Sequence, residues 1–328
     1  MGIDFLCAFS LYHAFSEGIH VFLFYNFSAF ALQMPLGIVL DYWCDRSGEK
    51  MFPGYVFLLA GVLLTVFGTI TSPWILGLGN ALFHTGGGVL SIHEDDRSSL
   101  KGRGLGVFVA PGAIGLFLGT LFHNMPLYTL IRILVSIVMA ALTAVLFLLG
   151  REDREERGRV YTRKSILWIS LFCFLVVILR SLTGMSVLFS WKATPSISFL
   201  AVLCLASGKA LGGFLGASFG MKKTVIITLL LSAVSYCFGD NIYGGLVSLL
   251  LFNMTMPLTL YLLKKVMPEM PGFAFGILTF ALFLGYLPVY YGFLRDIPPF
   301  PMGTISSLIS LVFLYMAVVI AERDEKNG

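Results

Sequence analysis

Of the 22 lysines and arginines in this chain of 328 residues, 17 stand in every second gap between long apolar stretches. Two, Lys192 and Arg295, stand in the remaining gaps, and three, Arg132, Arg180 and Lys209, lie inside the apolar stretches. A soluble core has no reason to sort its charge by alternate loops. A chain woven through a bilayer does, because its basic loops are retained on the cytoplasmic side. The pattern predicts an all-α integral membrane protein of about twelve transmembrane helices, with both termini cytoplasmic.

Composition agrees. Charged residues are 12% of the chain and apolar residues 57%, whereas a soluble domain carries about a quarter charged residues. Twelve spans of about 20 residues occupy roughly 250–280 residues, which leaves no room for a separate soluble domain. The net charge of +4 follows from the cytoplasmic loops. It implies contact with anionic headgroups of the lipid bilayer, not nucleic-acid binding. Cys7, Cys44, Cys173, Cys204 and Cys237 are scattered, with no spacing for a disulfide framework or a metal site. No cleavable signal peptide is visible, and the first apolar stretch begins almost at Met1, short for a span.

Apolar windows at 3–16, 20–43, 52–71, 73–92, 104–123 and 126–150 are followed by a hydrophilic segment, 151–165. Six more follow, at 166–189, 196–216, 224–238, 243–263, 273–291 and 302–321. The expected organisation is an N-terminal six-helix bundle (1–150), a cytoplasmic linker (151–165) and a C-terminal six-helix bundle (166–328). The halves share an echo. Leu36-Gly37-x-x-Leu40 and Leu211-Gly212-x-x-Leu215 each end the second window of a half, just before a basic turn. Internal repeats of this kind are typical of secondary transporters.

The segment GIVLDYWCDRSGEK (Gly37 to Lys50) resembles the cytoplasmic signature of the major facilitator superfamily, a Gly, then Asp, then basic residues around Gly. Asp41 stands four after Gly37, but Tyr42 replaces the usual basic residue, and Asp45-Arg46-Ser47-Gly48 could be the same motif shifted. The resemblance implies that Gly37, Asp41 or Asp45, and Arg46 gate the cytoplasmic side. GLGNALFHTGGG (Gly77 to Gly88) resembles drug-exporter members such as fosmidomycin-resistance-like proteins. GVFVAPGAIGLFLG (Gly106 to Gly119) resembles the superfamily's antiporter signature, with Pro111 and Gly112 in reversed order. The proline removes one ladder bond and permits a bend, and the glycines allow close backbone approach, so Pro111 and Gly112 are gating candidates too.

An ionisable or strongly polar side chain at membrane depth needs a partner or a cavity and is a site candidate. The resemblance implies that helices 1, 4, 7 and 10 line the cavity. On those helices stand Asp4, expected near the cytoplasmic end, Asn80 and His84 near mid-depth, Arg180, and Asn253. Asn26, Gln33 and Lys209 lie on the windows beside them. His84, Asn80, Arg180, Asn253, Asn26, Gln33 and Lys209 are candidate solute ligands. Asp4 and Glu17, the acids of the first window, are candidates for proton coupling. Each has a plainer alternative, such as a packing histidine, a snorkelling arginine or an end-of-helix charge. Arg132 is expected to be structural. Glu94, Asp95 and Asp96 are expected to be solvated loop charges.

These features predict a monomeric secondary transporter in the plasma membrane that moves a small organic solute by alternating access, by proton-coupled efflux. Arg180 and Lys209 would suit an anionic or zwitterionic solute, Asp4 a cationic one. The transmembrane proton gradient would replace any cofactor, since there is no GxxxxGK[ST] loop for a nucleotide. Neither a metal site nor a clustered catalytic constellation is present, so an enzyme is not expected. The rival reading is a membrane scaffold or sensor that keeps the fold without transporting.

Overall fold

The computed structural model describes residues 1–15, 18, 20–49, 51–150 and 161–327. These residues form α1 (Gly2–Ala14), α2 (Val21–Asn26), one turn of π-helix (Phe27–Ala31), α3 (Gln33–Ser47), α4 (Phe52–Thr71), α5 (Pro73–Arg97), α6 (Arg103–Val109), α7 (Pro111–Phe122) and α8 (Tyr128–Leu148). They continue with α9 (Arg163–Ser186), α10 (Pro195–Phe219), α11 (Met221–Cys237), α12 (Ile242–Asn253), α13 (Thr255–Val266), α14 (Pro271–Tyr290) and α15 (Pro299–Asn327). Among the described residues, 10 stretches are long and apolar enough to cross a bilayer. Three of them, Val21–Ser47, Arg103–Phe122 and Ile242–Val266, are broken helices counted whole. With α1 and α11, of 13 and 17 residues, they account for the twelve expected windows. Most of the segment 151–165 lies outside the described residues.

Prolines explain the breaks. A proline has no N–H and its ring crowds the carbonyl four residues earlier. For Pro35 that carbonyl belongs to Ala31, where the π turn ends, and for Pro257 it belongs to Asn253, where α12 ends. Pro111 opens α7 one residue after α6 stops. Three amides sit at these breaks and bond within their own helices. Asn26 donates to the Phe22 carbonyl at 2.7 Å, Gln33 to that of Ala29 at 2.6 Å, and Asn253 to that of Leu249 at 2.8 Å.

By packing, the chain forms two units: Met1–Arg97, Pro111–Glu156 and Met270–Phe280 in one, and Ser98–Ala110, Arg157–Glu269 and Ala281–Gly328 in the other. In the first unit, α4 and α5 pack main chain to main chain. A Cβ at Gly61 or Gly68 of α4, or at Gly79 or Gly86 of α5, would overlap backbone of the other helix. Glycine permits such approach without any side-chain bond. Beneath this pair, Ile3, Cys7 and Leu11 of α1 pack with Tyr25, Ala29, Val62 and Leu76. The face of α8 with Leu130, Ile133, Leu134, Ile137 and Val138 is exposed, as suits a lipid-facing helix. Arg132, on that helix, lies 5.7 Å over the Tyr128 ring.

In the second unit hydroxyls tie helices together. Ser181 donates to the Leu282 carbonyl at 2.7 Å, Thr183 to Ser306 Oγ at 2.7 Å, and Ser232 shares a bond of 2.9 Å with Ser307. The sequence echo has a structural counterpart. Gly37 of α3 touches the main chain of Gly272, just inside α14, and Gly212 of α10 touches that of Met254, between α12 and α13.

One expectation fails. α5 runs past residue 92 to Arg97, and the extra turn carries Asp95 inward, to 1% exposure. Asp95 is therefore not a solvated loop charge, although Glu94 remains partly exposed and pairs with Arg97 at 3.1 Å.

Candidate functional site

The polar groups of the first unit converge on α1, α5 and α7. His84 is the twelfth residue of α5, whose 25 residues run from Pro73, about 16 Å along it at 1.5 Å per residue. Its Nε2 lies 2.9 Å from Asp4 Oδ1. An ionised carboxylate only accepts, so Nε2 carries the hydrogen. The Met1 amino nitrogen lies 3.3 Å from Asp4 Oδ2. Asp4 was expected near the cytoplasmic end of a span. Instead α1 begins level with the middle of α5, so its first turn stands at mid-depth. The two partners differ in access: the Asp4 side chain is 8% exposed and that of His84 22%.

Gly112, next to the α6–α7 break, flanks the pair. A Cβ there would lie 3.3 Å from Asp4 Oδ2, tight against the carboxylate. Asn80, one turn before His84, is buried and donates to Cys7 Sγ at 3.5 Å. Asp4, Asn80, His84, Pro111 and Gly112, singled out separately from the sequence, thus gather in one place. Cys7 was not singled out, since a lone cysteine in an apolar helix carries no signal of its own.

The ambiguity between Asp41 and Asp45 has a structural answer. Asp41 is buried and accepts two main-chain hydrogen bonds from the first turn of α14, from Gly272 N to Oδ1 and from Phe273 N to Oδ2, both at 2.7 Å. This is a helix N-terminus closed by a carboxylate from a distant segment, favourable for both the orphan N–H groups and the helix dipole. Gly37, one turn before Asp41, allows the approach, since a Cβ there would overlap the Gly272 carbonyl. Asp45 and Arg46 are exposed, and Arg46 donates to the Tyr42 hydroxyl at 3.1 Å.

The remaining candidates lie at helix breaks or in the second unit. Asn26 and Gln33 serve the π turn, and Asn253 the end of α12. Arg180 and Lys209 lie on α9 and α10 of the second unit. Arg180 is 8% exposed. Glu17 lies outside the described residues. A cleft of about 220 Å³ in the second unit, lined by Lys101, Tyr261, Lys265 and Glu325 among others, is self-neutralised. Lys265 pairs with Glu325 at 2.5 Å, and the Tyr161 hydroxyl donates to the same carboxylate at 2.6 Å.

No protein-family model matches the chain, and no curated protein matches it significantly. Solved structures do. The chain is similar to a crystal structure of the E. coli fucose:proton symporter, FucP, at 15% identity and a TM-score of 0.60, with 97% of each chain covered. It is also similar to FucP described as a Major Facilitator Superfamily transporter in the outward conformation, at 14% identity and a TM-score of 0.59, again with 97% of each covered. The fold is the major facilitator fold.

Proposed function

We propose that the protein is a secondary active transporter that moves a small organic solute by alternating access, and that Asp4 and His84 couple this movement to protons. The observation that carries the proposal is the carboxylate–imidazole pair at 2.9 Å, at mid-depth of α5, in a chain with the major facilitator fold. An imidazole titrates near neutral pH in water. Bonded to a buried carboxylate and itself partly open, His84 can take up and release a proton as its access changes. Gly37 and Asp41, not Asp45 and Arg46, form the gate on α14, and the break at Pro111 with Gly112 lets α7 adjust against Asp4. No cofactor is required. The protein acts as a monomer in the plasma membrane, with both termini cytoplasmic.

The glycine-spaced Arg103–Phe122 span and the Gly77 to Gly88 segment favour proton antiport, hence efflux, of the drug-exporter kind. A second reading, symport, is favoured by the solved structure of a proton symporter with this fold. The test is a reconstituted one. Proteoliposomes loaded with a pH-sensitive dye are exposed to sugars, amino acids, small anions and cationic drugs. A solute that moves protons against its own direction supports antiport, one that moves them with it supports symport, and neither response should survive Asp4→Asn. Solute-independent silence, from a folded protein, would favour the scaffold or sensor.

A further inference from the structure

We infer that Arg180 receives an oxyanion group of the transported solute, a carboxylate or phosphate held side-on by its guanidinium. This rests on the transporter reading and specifies the chemistry of its solute. Arg180 is 8% exposed, and its Nε and Nη2 are buried with no hydrogen-bond partner among the described residues. Those two atoms form one edge of the guanidinium, where two N–H bonds run parallel, the fork that grips both oxygens of a carboxylate or phosphate. Both unsatisfied atoms lie on that single edge.

The unit itself supplies no counter-ion. Between Arg163 and Ala321 the acids are Asp240, Glu269 and Asp296, all in connections between helices; the acids of the last turns of α15 stand at the other end of α9, where Asp324 accepts from Thr162 and Glu325 pairs with Lys265. In the other unit, Asp4 is held by His84. Snorkelling to water is also excluded. The nearer end of α9 is its C-terminal end, at Ser186, six residues on, while helical side chains lean toward the N-terminus.

The helix around Arg180 is fixed. Ser181 and Thr183 are bonded to the neighbouring helices α14 and α15, so the arginine has a set position. A buried guanidinium edge held in place, with no internal anion, is a seat for an oxyanion.

Two measurements on the full-length purified protein test this. The first needs no ligand. Because an uncompensated buried charge destabilises its host, Arg180→Met is expected to raise the melting temperature of the ligand-free protein. A lowered melting temperature would mean that Arg180 has an internal partner, and would overturn the inference. The second compares lactate, succinate, benzoate and glucose 6-phosphate with lactamide, succinamide, benzamide and glucose in a thermal-shift titration. At least one anion should stabilise the wild type where its uncharged counterpart does not. Its affinity should fall roughly 10- to 100-fold in Arg180→Gln and less in Arg180→Lys. If uncharged solutes stabilise and anions do not, or if an anion binds Arg180→Gln unchanged, the inference fails while the transporter reading stands. If no solute stabilises the protein and none is transported, both fail.

Discussion

His84 and Asp4, eighty positions apart in sequence, meet at 2.9 Å between the middle of α5 and the first turn of α1. The carboxylate is the more buried partner and the imidazole the more open one. On the proposed reading, a proton arriving from the open side would reach the histidine before the carboxylate.

Asp4→Asn and His84→Gln should each abolish proton-linked flux in proteoliposomes while the protein remains monodisperse in detergent. Their combination should do no more than either alone, since the two act as a unit. The single variants differ in stability. Removing the imidazole leaves the buried carboxylate with the exposed Met1 amino group alone, so His84→Ala should melt below Asp4→Asn. The reverse order would show that the aspartate has its main partner elsewhere.

Asp41→Ala removes the acceptor of two amides at the start of α14. Loss of an N-cap acceptor costs about 0.5–2 kcal/mol, which corresponds to a roughly 2- to 30-fold rise in local opening. Hydrogen–deuterium exchange at Gly272 and Phe273 should accelerate by that factor. Asp45→Ala should leave both amides unchanged, and equal effects from the two substitutions would undo the assignment of the gate to Asp41.

At Gly112 a methyl group would press on the Asp4 carboxylate, whereas at Gly119 it would strike the Phe5 carbonyl at 2.5 Å. Gly112→Ala should lower turnover while substrate affinity and melting temperature stay near wild type. Gly119→Ala should act on folding instead, with less monodisperse protein and a lower melting temperature. Turnover retained in full by Gly112→Ala would separate α7 from the proton step.

The α4–α5 interface can be tested by packing alone. Gly61→Leu or Gly79→Leu overpacks a main-chain contact, a loss of about 1–3 kcal/mol. Both should appear as a lowered melting temperature and, through the displaced α5, as reduced flux.

Much of this could be read from the chain before its structure. The number of spans was legible in the alternation of apolar stretches with basic loops, because that distribution is a property of the sequence alone. Gly37 and Asp41 were visible as a motif, yet the choice between Asp41 and Asp45 was not, since the partners are the main-chain amides of Gly272 and Phe273 and any residue type could supply them. The depth of Asp4 was misplaced because it depends on where α1 meets α5, which no local pattern records. Asp95 looked like part of an acidic loop because three acids in a row give no hint that a helix continues through them. The isolation of Arg180 shows only when the acids of the second unit are placed, since those of α15 stand by Thr162 and Lys265, away from the end of α9 that carries the arginine.

In α4 the glycines Gly54, Gly61 and Gly68 recur every seven residues, and Gly79 and Gly86 repeat the interval in α5. Seven residues are almost two full turns of an α-helix, so the smooth patches line up along one edge of each rod. Two rods seated this closely tilt as a pair. His84 rides on one of them, so on the proposed reading whatever a proton does at its ring is felt by both.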